Sequence, residues 1–235
     1  MSAETGLQMY DFFLKLQGLI AKNDYLAVNI LKPITVMSKF LQRLSDITHI
    51  HHRAAFTDVK ERTTSKASAF LKLAQERYSC RSFADAEVAQ ADIDQILEAA
   101  RLAPTAMNRQ PVHVWVIKSK EAMQKLGKTT QYLYGAPVVF VVACKKEDAW
   151  VRKYDGKNGA EVDASIVGTH IMMEAADLGL GSVWVGSFDP AKVLDLFPEM
   201  AGYEPVVLFP VGIPAGGPSA NHGKRINKEK FASEL

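Results

Sequence analysis

Hydrophobic positions follow two rhythms along this chain, and the change of rhythm divides it. Up to about residue 66 they recur at helical spacing: Met9, Phe12, Phe13, Leu16, Leu19 and Ile20, then Ile34, Met37, Phe40, Leu41 and Leu44. A polar run over residues 57–68 reads as a linker. Beyond it, helical and strand patterns alternate. Residues 69–77 are predicted helical. Residues 92–102 put Ile93, Ile96, Leu97 and Ala100 on one helical face, and Pro104 marks the end. Residues 112–117 read as a strand. Residues 136–144 are apolar on both faces, as a buried central strand would be. Residues 163–178 predict a mostly apolar helix, with Gly179 and Gly181 as its stop. A short strand is expected over 182–185. Asp189-Pro190 opens another helix, with Asp as N-cap, and 205–211 form the last strand. Helices covering a sheet follow, in an α/β or α+β domain over 67–235 behind a helical extension over 1–66.

Composition narrows the function more than the fold. The length of 235 residues suits one large domain or two small ones, and 48% hydrophobic with 23% charged residues excludes a disordered or fibrous chain. Net charge is only +2, so no overall field draws the protein to nucleic acid or an anionic membrane. That small value hides an asymmetry. Residues 1–66 carry nine Lys/Arg against six Asp/Glu, or +3, which leaves −1 for the remainder. Cys80 and Cys144 are too few and too far apart for a disulfide framework or a zinc site, and suit a reducing compartment. The apolar stretch 7–20 is broken by Asp11 and Lys15 and lacks the features of a signal peptide. With no Asn-x-Ser/Thr sequon, a cytoplasmic location without membrane or nucleic-acid partners is the expectation.

Several motifs carry nothing. Gly179-x-Gly181 with Gly186 lies after a helix and before a strand, the reverse of a dinucleotide fingerprint. Residues 217–224 have the wrong spacing for a P-loop, with Arg225 where Ser or Thr should stand. His49, His51 and His52 cluster without a completing carboxylate or Cys, as at a solvated helix end. His113 and His170 read as core or boundary residues, and Met107, Met172 and Met173 as gap fillers. Cys80 has no His/Asp arrangement to make it a nucleophile.

Three segments remain. In the first, Glu76-Arg77-Tyr78-Ser79-Cys80-Arg81, two arginines four apart flank a hydroxyl. Arg forks pair bidentately with phosphate, although two solvated arginines would look the same in isolation. The second, Ala103-Pro104-Thr105-Ala106-Met107-Asn108-Arg109-Gln110-Pro111, lies between a helix and a strand. Thr105, Asn108 and Gln110 offer hydroxyl and amide groups to a heteroaromatic edge, and an ordinary loop also favours Pro and Asn. The third runs from Gly179 through Trp184-Val185-Gly186-Ser187-Phe188-Asp189, where a free backbone N–H at Val185-Gly186 could reach a ligand. Lys224-Arg225 adds late cations.

Together these segments resemble the nitroreductase family of FMN-dependent oxidoreductases, over about residues 68–230. Four motifs fall in the family's order: Arg-x-Ser-x-Arg, Ala-Pro-x-x-x-Asn-x-Gln-Pro, Leu-Gly-Leu-Gly-x-x-Trp-Val-Gly-x-Phe-Asp and a late Lys-Arg. Phe70-Leu71-Lys72-Leu73-Ala74 fits the start of the compact branch. The resemblance implies an α+β sandwich, with a central mixed sheet flanked by helices. It implies FMN as cofactor, NADH or NADPH as co-substrate, and a nitroaromatic, quinone or similar acceptor served by a ping-pong cycle.

By position, the resemblance puts Arg77, Tyr78 and Ser79 at the FMN phosphate and ribityl chain and Arg81 at the pyrimidine edge. Lys224 and Arg225 would close the phosphate site, and Val185 and Gly186 would lie beside N5. It also implies a homodimer, with Pro104, Thr105, Ala106 and Asn108 supplied by the second subunit. A cation beside the flavin's N1 and O2 favours the two-electron reduced form. No side chain need act as acid or base, so no catalytic residue is assigned. Thr105-Ala106 stands where many relatives have two hydroxyls or Ser-Ala, Val112 where many have Trp, and Gly186-Ser187 where larger members have Glu-Gly. These departures leave the acceptor open. A specialised flavoenzyme, such as a reductive dehalogenase or a dehydrogenase, is a second reading, and a non-catalytic flavin carrier a third. The short 145–163 stretch disfavours the extra lid of the specialised enzymes.

Overall fold

The structure is a computed structural model and describes residues 68–235. The amphipathic stretches, His49, His51 and His52, and nearly all of the polar linker lie outside the described residues. Helix α1 (Ala69–Glu76) is capped by Ser68, whose hydroxyl accepts the Leu71 N–H at 3.1 Å. Helix α2 (Gln90–Arg101) buries Ile93, Ile96 and Ala100, as its spacing predicts, with Leu97 partly covered.

Strand β1 (Val112–Ile117) leads into α3 (Lys120–Leu126), a helix the hydrophobic pattern does not announce. Then come β2 (Val138–Cys144), α4 (Ala160–Asp177), β3 (Gly181–Ser182) and α5 (Pro190–Leu196). The Asp189 carboxylate caps α5 by accepting the Lys192 N–H at 3.0 Å. Strand β4 (Glu204–Gly212) and a single turn, α6 (Lys228–Phe231), complete the domain.

The sheet order is β1-β2-β4-β3, and every pair of these strands is antiparallel. Its mixed character comes from one parallel bridge, Ser79 to Ser182. Every residue of β2 is buried because the strand serves two cores. Val138, Phe140, Val142 and Cys144 face the core that includes α2 and α4, while Val139 and Val141 face the one that includes α5. Strand β4 alternates in the same way, with Val207, Phe209 and Val211 on one side and Leu208 on the other. This is period-2 alternation with both faces apolar.

Two of the glycines that set close approaches, Gly168 and Gly181, bear on how the sheet is covered. A Cβ on Gly168 would lie 2.8 Å from the Phe209 ring, so α4 rests directly on the sheet there. Gly181 is not the helix stop expected of it. It belongs to β3, and a Cβ there would lie 2.7 Å from both Cβ and Sγ of Cys80. The stop is Gly179, at φ +74°. The Gly181–Cys80 contact holds the segment after α1 against the sheet edge.

Candidate functional site

The backbone brings the first motif and the C-terminal tail together. After Arg77 caps α1, the chain runs along β3: the Cys80 N–H donates to the Ser182 carbonyl at 2.9 Å, and Ala84 N–H to Ile213 at 2.9 Å. The tail returns over it. Ala215 N–H donates to Ser82, the Tyr78 hydroxyl donates to the Gly216 carbonyl at 2.6 Å, and His222 Nε2 donates to the Gln75 carbonyl at 3.0 Å. Burial, and secondarily the neighbouring Cys80, push the Tyr78 phenol above its usual range, so it stays a donor.

Between these segments lies a cleft of about 200 Å³ lined by Arg77, Tyr78, Ser79, Arg81, Ser219, Asn221, His222 and Arg225. Three guanidiniums thus share one small space. Arg81 and Arg225 donate to backbone carbonyls, of Ser79 and of His222 and Lys224, and Arg77 approaches the Met172 sulfur at 3.7 Å. None of the three pairs with a carboxylate among the described residues. Fork donors, two serine hydroxyls and an amide around unneutralised positive charge form a donor set for an anion with several oxygens, such as a phosphate monoester. A larger cleft of about 280 Å³ beside α2 is mostly apolar, and its one guanidinium, Arg101, pairs with Glu98.

The other sequence-predicted residues lie elsewhere. Lys224 adjoins Arg225 but does not line the arginine cleft, and neither do Pro104, Thr105, Ala106 and Asn108. The loop holding those four turns through a short 3-10 segment at Ala106–Asn108. Within it the Gln110 N–H donates to Thr105 Oγ1 at 3.0 Å. The Val185 N–H is not the open donor that the sequence suggested. It donates to Leu208 O at 3.0 Å, in an isolated bridge that continues the β3–β4 edge. The neighbouring Gly186 N–H has no partner among the described residues. Its loop is held by Thr130, whose hydroxyl donates to Ser187 O at 2.7 Å, and by the Asp189 N–H donating to Thr129 O at 3.0 Å.

Ser219, Asn221 and His222 are the cleft residues the motifs missed. Their one sequence signal was a polar run just before the Gly-Lys-Arg. Cys80 is fully buried and its thiol donates to the Ser82 carbonyl at 3.2 Å, a structural role. Burial, with nearby Glu204, pushes the Cys144 thiol up to about 11. His113 is exposed on β1, where it packs against Trp115 and Tyr203. Among the described residues no group of three or more His, Cys, Asp or Glu is placed to hold a metal, and no helix is long and apolar enough to cross a membrane.

Comparison with known proteins gives a consistent result. The family model described as Nitroreductase family matches residues 74–131 and 127–213. A Methanothermobacter thermautotrophicus protein with the provisional name NADH dehydrogenase/NAD(P)H nitroreductase is 32% identical over 164 residues, covering 66% of this chain and 80% of that protein. The FMN reductase (NAD(P)H) of Bacillus subtilis is 31% identical over 175 residues, covering 66% and 68%. Among solved structures, a nitroreductase family protein from Clostridium difficile superposes with a TM-score of 0.65 at 37% identity, over 69% of this chain and 95% of that one.

Proposed function

The chain belongs to the nitroreductase family, and from that premise we propose that it is an FMN-dependent NAD(P)H oxidoreductase whose arginine cleft holds the FMN phosphate. The observation that carries this reading is the meeting of Arg77, Arg81 and Arg225 in one cleft with no carboxylate to neutralise them among the described residues. FMN, when bound, supplies the hydride chemistry that passes electrons from NAD(P)H to the acceptor.

The protein's own part is to bind and orient. Arg77 and Arg225 offer forked donors to phosphate oxygens, with Ser79 and Ser219 as further hydrogen-bonding groups. Tyr78 braces the tail through Gly216, so the two halves of the cleft stay together. Arg81 lies on the same strip and offers positive charge where a reduced flavin carries negative charge. Gly186 presents a backbone N–H that is uncommitted among the described residues, at the end of the β3–β4 edge. Lys224 adds charge from beside the cleft.

The acceptor in this proposal is a nitroaromatic, a quinone or a similar small molecule, and NAD(P)H and acceptor bind in turn. The 145–163 stretch supports an open face: ahead of α4, which begins at Ala160, it holds only a 3-10 turn (Lys146–Asp148) and a single bridge between Val151 and Asn158. The active species is a homodimer in which Pro104, Thr105, Ala106 and Asn108 of one subunit complete the site of the other. That none of the four lines the first motif's cleft supports this, as does exposed apolar surface at Leu102, Met107 and Val162. The flavin domain spans 67–235 and the extension 1–66, in a cytoplasmic protein. The test is an anaerobic absorbance experiment on the purified full chain: FMN uptake, then bleaching by NADH or NADPH.

A further inference from the structure

The loop that carries Thr105 and Asn108 is held in an unfavourable shape. Met107, Asn108 and Gln110 have φ of 55°, 52° and 52°. That is the left-handed region, which Asn tolerates and which Met and Gln rarely adopt. Such a shape persists only where surrounding contacts impose it.

Most of the loop's polar contacts lie within it. Asn108 N–H donates to Thr105 O at 2.9 Å, Gln110 N–H to Thr105 Oγ1, and Gln110 Nε2 to Asn108 Oδ1 at 3.0 Å. These bonds shape the loop but do not fix it to the domain. Arg109 reaches the Ala149 carbonyl only at 3.5 Å. The firm tie is the Ala106 N–H, which donates to Asp163 Oδ1 at 2.9 Å across 57 residues.

Asp163 is an unusual group to bury. It lies in the first turn of α4 and is 1% exposed. Its Oδ2 has no hydrogen-bond partner among the described residues. Asp163 and Ala106 line a second cavity of about 200 Å³, distinct from the arginine cleft, and Arg152, which also lines it, pairs with Asp155. The N-terminal turn of α4 and the Ala106 N–H favour a carboxylate there, and Lys157 lines the cavity beside it. A half-satisfied buried carboxylate lowers stability, and the one hydrogen bond it makes among the described residues goes to the loop.

We propose that Asp163 is a positioning residue, whose buried carboxylate pins the 105–110 loop in the strained shape that meets the cofactor. The loop's role rests on the FMN reading above; the pin itself does not.

The experiment compares hydrogen exchange and FMN binding of the full chain with Asp163→Ala and Asp163→Asn. Asn keeps an acceptor for Ala106 and removes the charge. In Asp163→Ala, exchange of the Asn108, Arg109 and Gln110 amides rises at least tenfold, while amides in the second half of α4 keep their protection. FMN binds at least tenfold more weakly. Asp163→Asn stays within threefold of the parent on both readouts. If Asp163→Ala does not fold, Ala106→Pro removes the same bond from the loop side, at a 3-10 position where the fixed φ of proline fits. It should then give the same tenfold loss of FMN affinity and faster exchange at Asn108. Loop exchange unchanged in Asp163→Ala or in Ala106→Pro overturns the proposal. So does Asp163→Asn as damaging as Asp163→Ala. A parent chain that takes up no FMN defeats the FMN reading instead, and the exchange comparison without FMN still decides the pin.

Discussion

Replacing Arg225 with Ala separates a ligand-binding cation from a structural one. The side chain is exposed and its partners are the His222 and Lys224 carbonyls, three residues and one residue before it in the chain. Those carbonyls hydrate readily when it is removed. The loss also relieves repulsion from Arg77 and Arg81 across a cleft of about 200 Å³. Stability of the FMN-free protein should therefore stay within about 0.5 kcal/mol of the parent, as for most surface substitutions.

Binding should respond far more. A hydrogen bond to a charged group contributes about 1.5–3 kcal/mol, which is roughly ten- to a hundredfold in Kd. Solvent screening at this exposed position favours the lower end. Arg225→Lys should fall between, because an ammonium keeps the charge and loses the fork. The assay is fluorescence titration of FMN at low and high ionic strength, beside urea unfolding of the FMN-free protein. Raising salt from about 0.1 to 1 M shortens the Debye length from about 10 to 3 Å, so the gap between parent and variant should narrow. An unchanged Kd in Arg225→Ala would refute the phosphate assignment. A matching fall in the stability of the FMN-free protein would show a structural residue instead.

Two further outcomes test the frame around the cleft. Gly181→Ala drives a methyl into the Cys80 side chain, and overpacking of this kind destabilises by about 1–3 kcal/mol. Urea unfolding reads it, and pairing the change with Cys80→Ala should recover part of the loss. A neutral Gly181→Ala would mean the contact is not tight. Cys144 tests burial. Its thiol is held protonated up to about pH 11, against an ordinary value of 9.0. Between those values the unfolded chain releases a proton that the folded one keeps, so stability falls as pH rises from about 9 to 11. Cys144→Ala should remove that part of the slope, and an equal slope in the variant would contradict the burial assigned to the thiol.

The local part of this fold is legible in the chain. Residues 136–144 are apolar at odd and even positions alike, and β2 indeed feeds a core on each face. The spacing of Ile93, Ile96 and Ala100 gives the buried side of α2. Helix α3 is harder to see because only Leu126 is buried. Its signal was Ser119, whose hydroxyl caps the Ala122 N–H at 3.2 Å. Gly181 looks like a helix terminator when read with its neighbours, and only the partner it meets, 101 positions away, shows why no side chain fits.

The site divides in the same way. Arg77, Ser79 and Arg81 share a local motif, and with Arg225 they meet in one cleft. Ser219, Asn221 and His222 enter it through contacts such as Tyr78 to Gly216, across 138 residues. No local pattern encodes such a contact. Asp163 is invisible for the opposite reason. At the sequence level it is an ordinary acidic residue near a helix start, and its meaning lies in which atom it reaches.

The most direct measurement is an anaerobic absorbance titration of the purified full chain with FMN bound, first with NADH and NADPH in turn and then with a quinone or a nitroaromatic. The flavin band should bleach with one or both nicotinamides and return on addition of the acceptor. A chain that takes up no FMN, or binds it and is reduced by neither nicotinamide, contradicts the account.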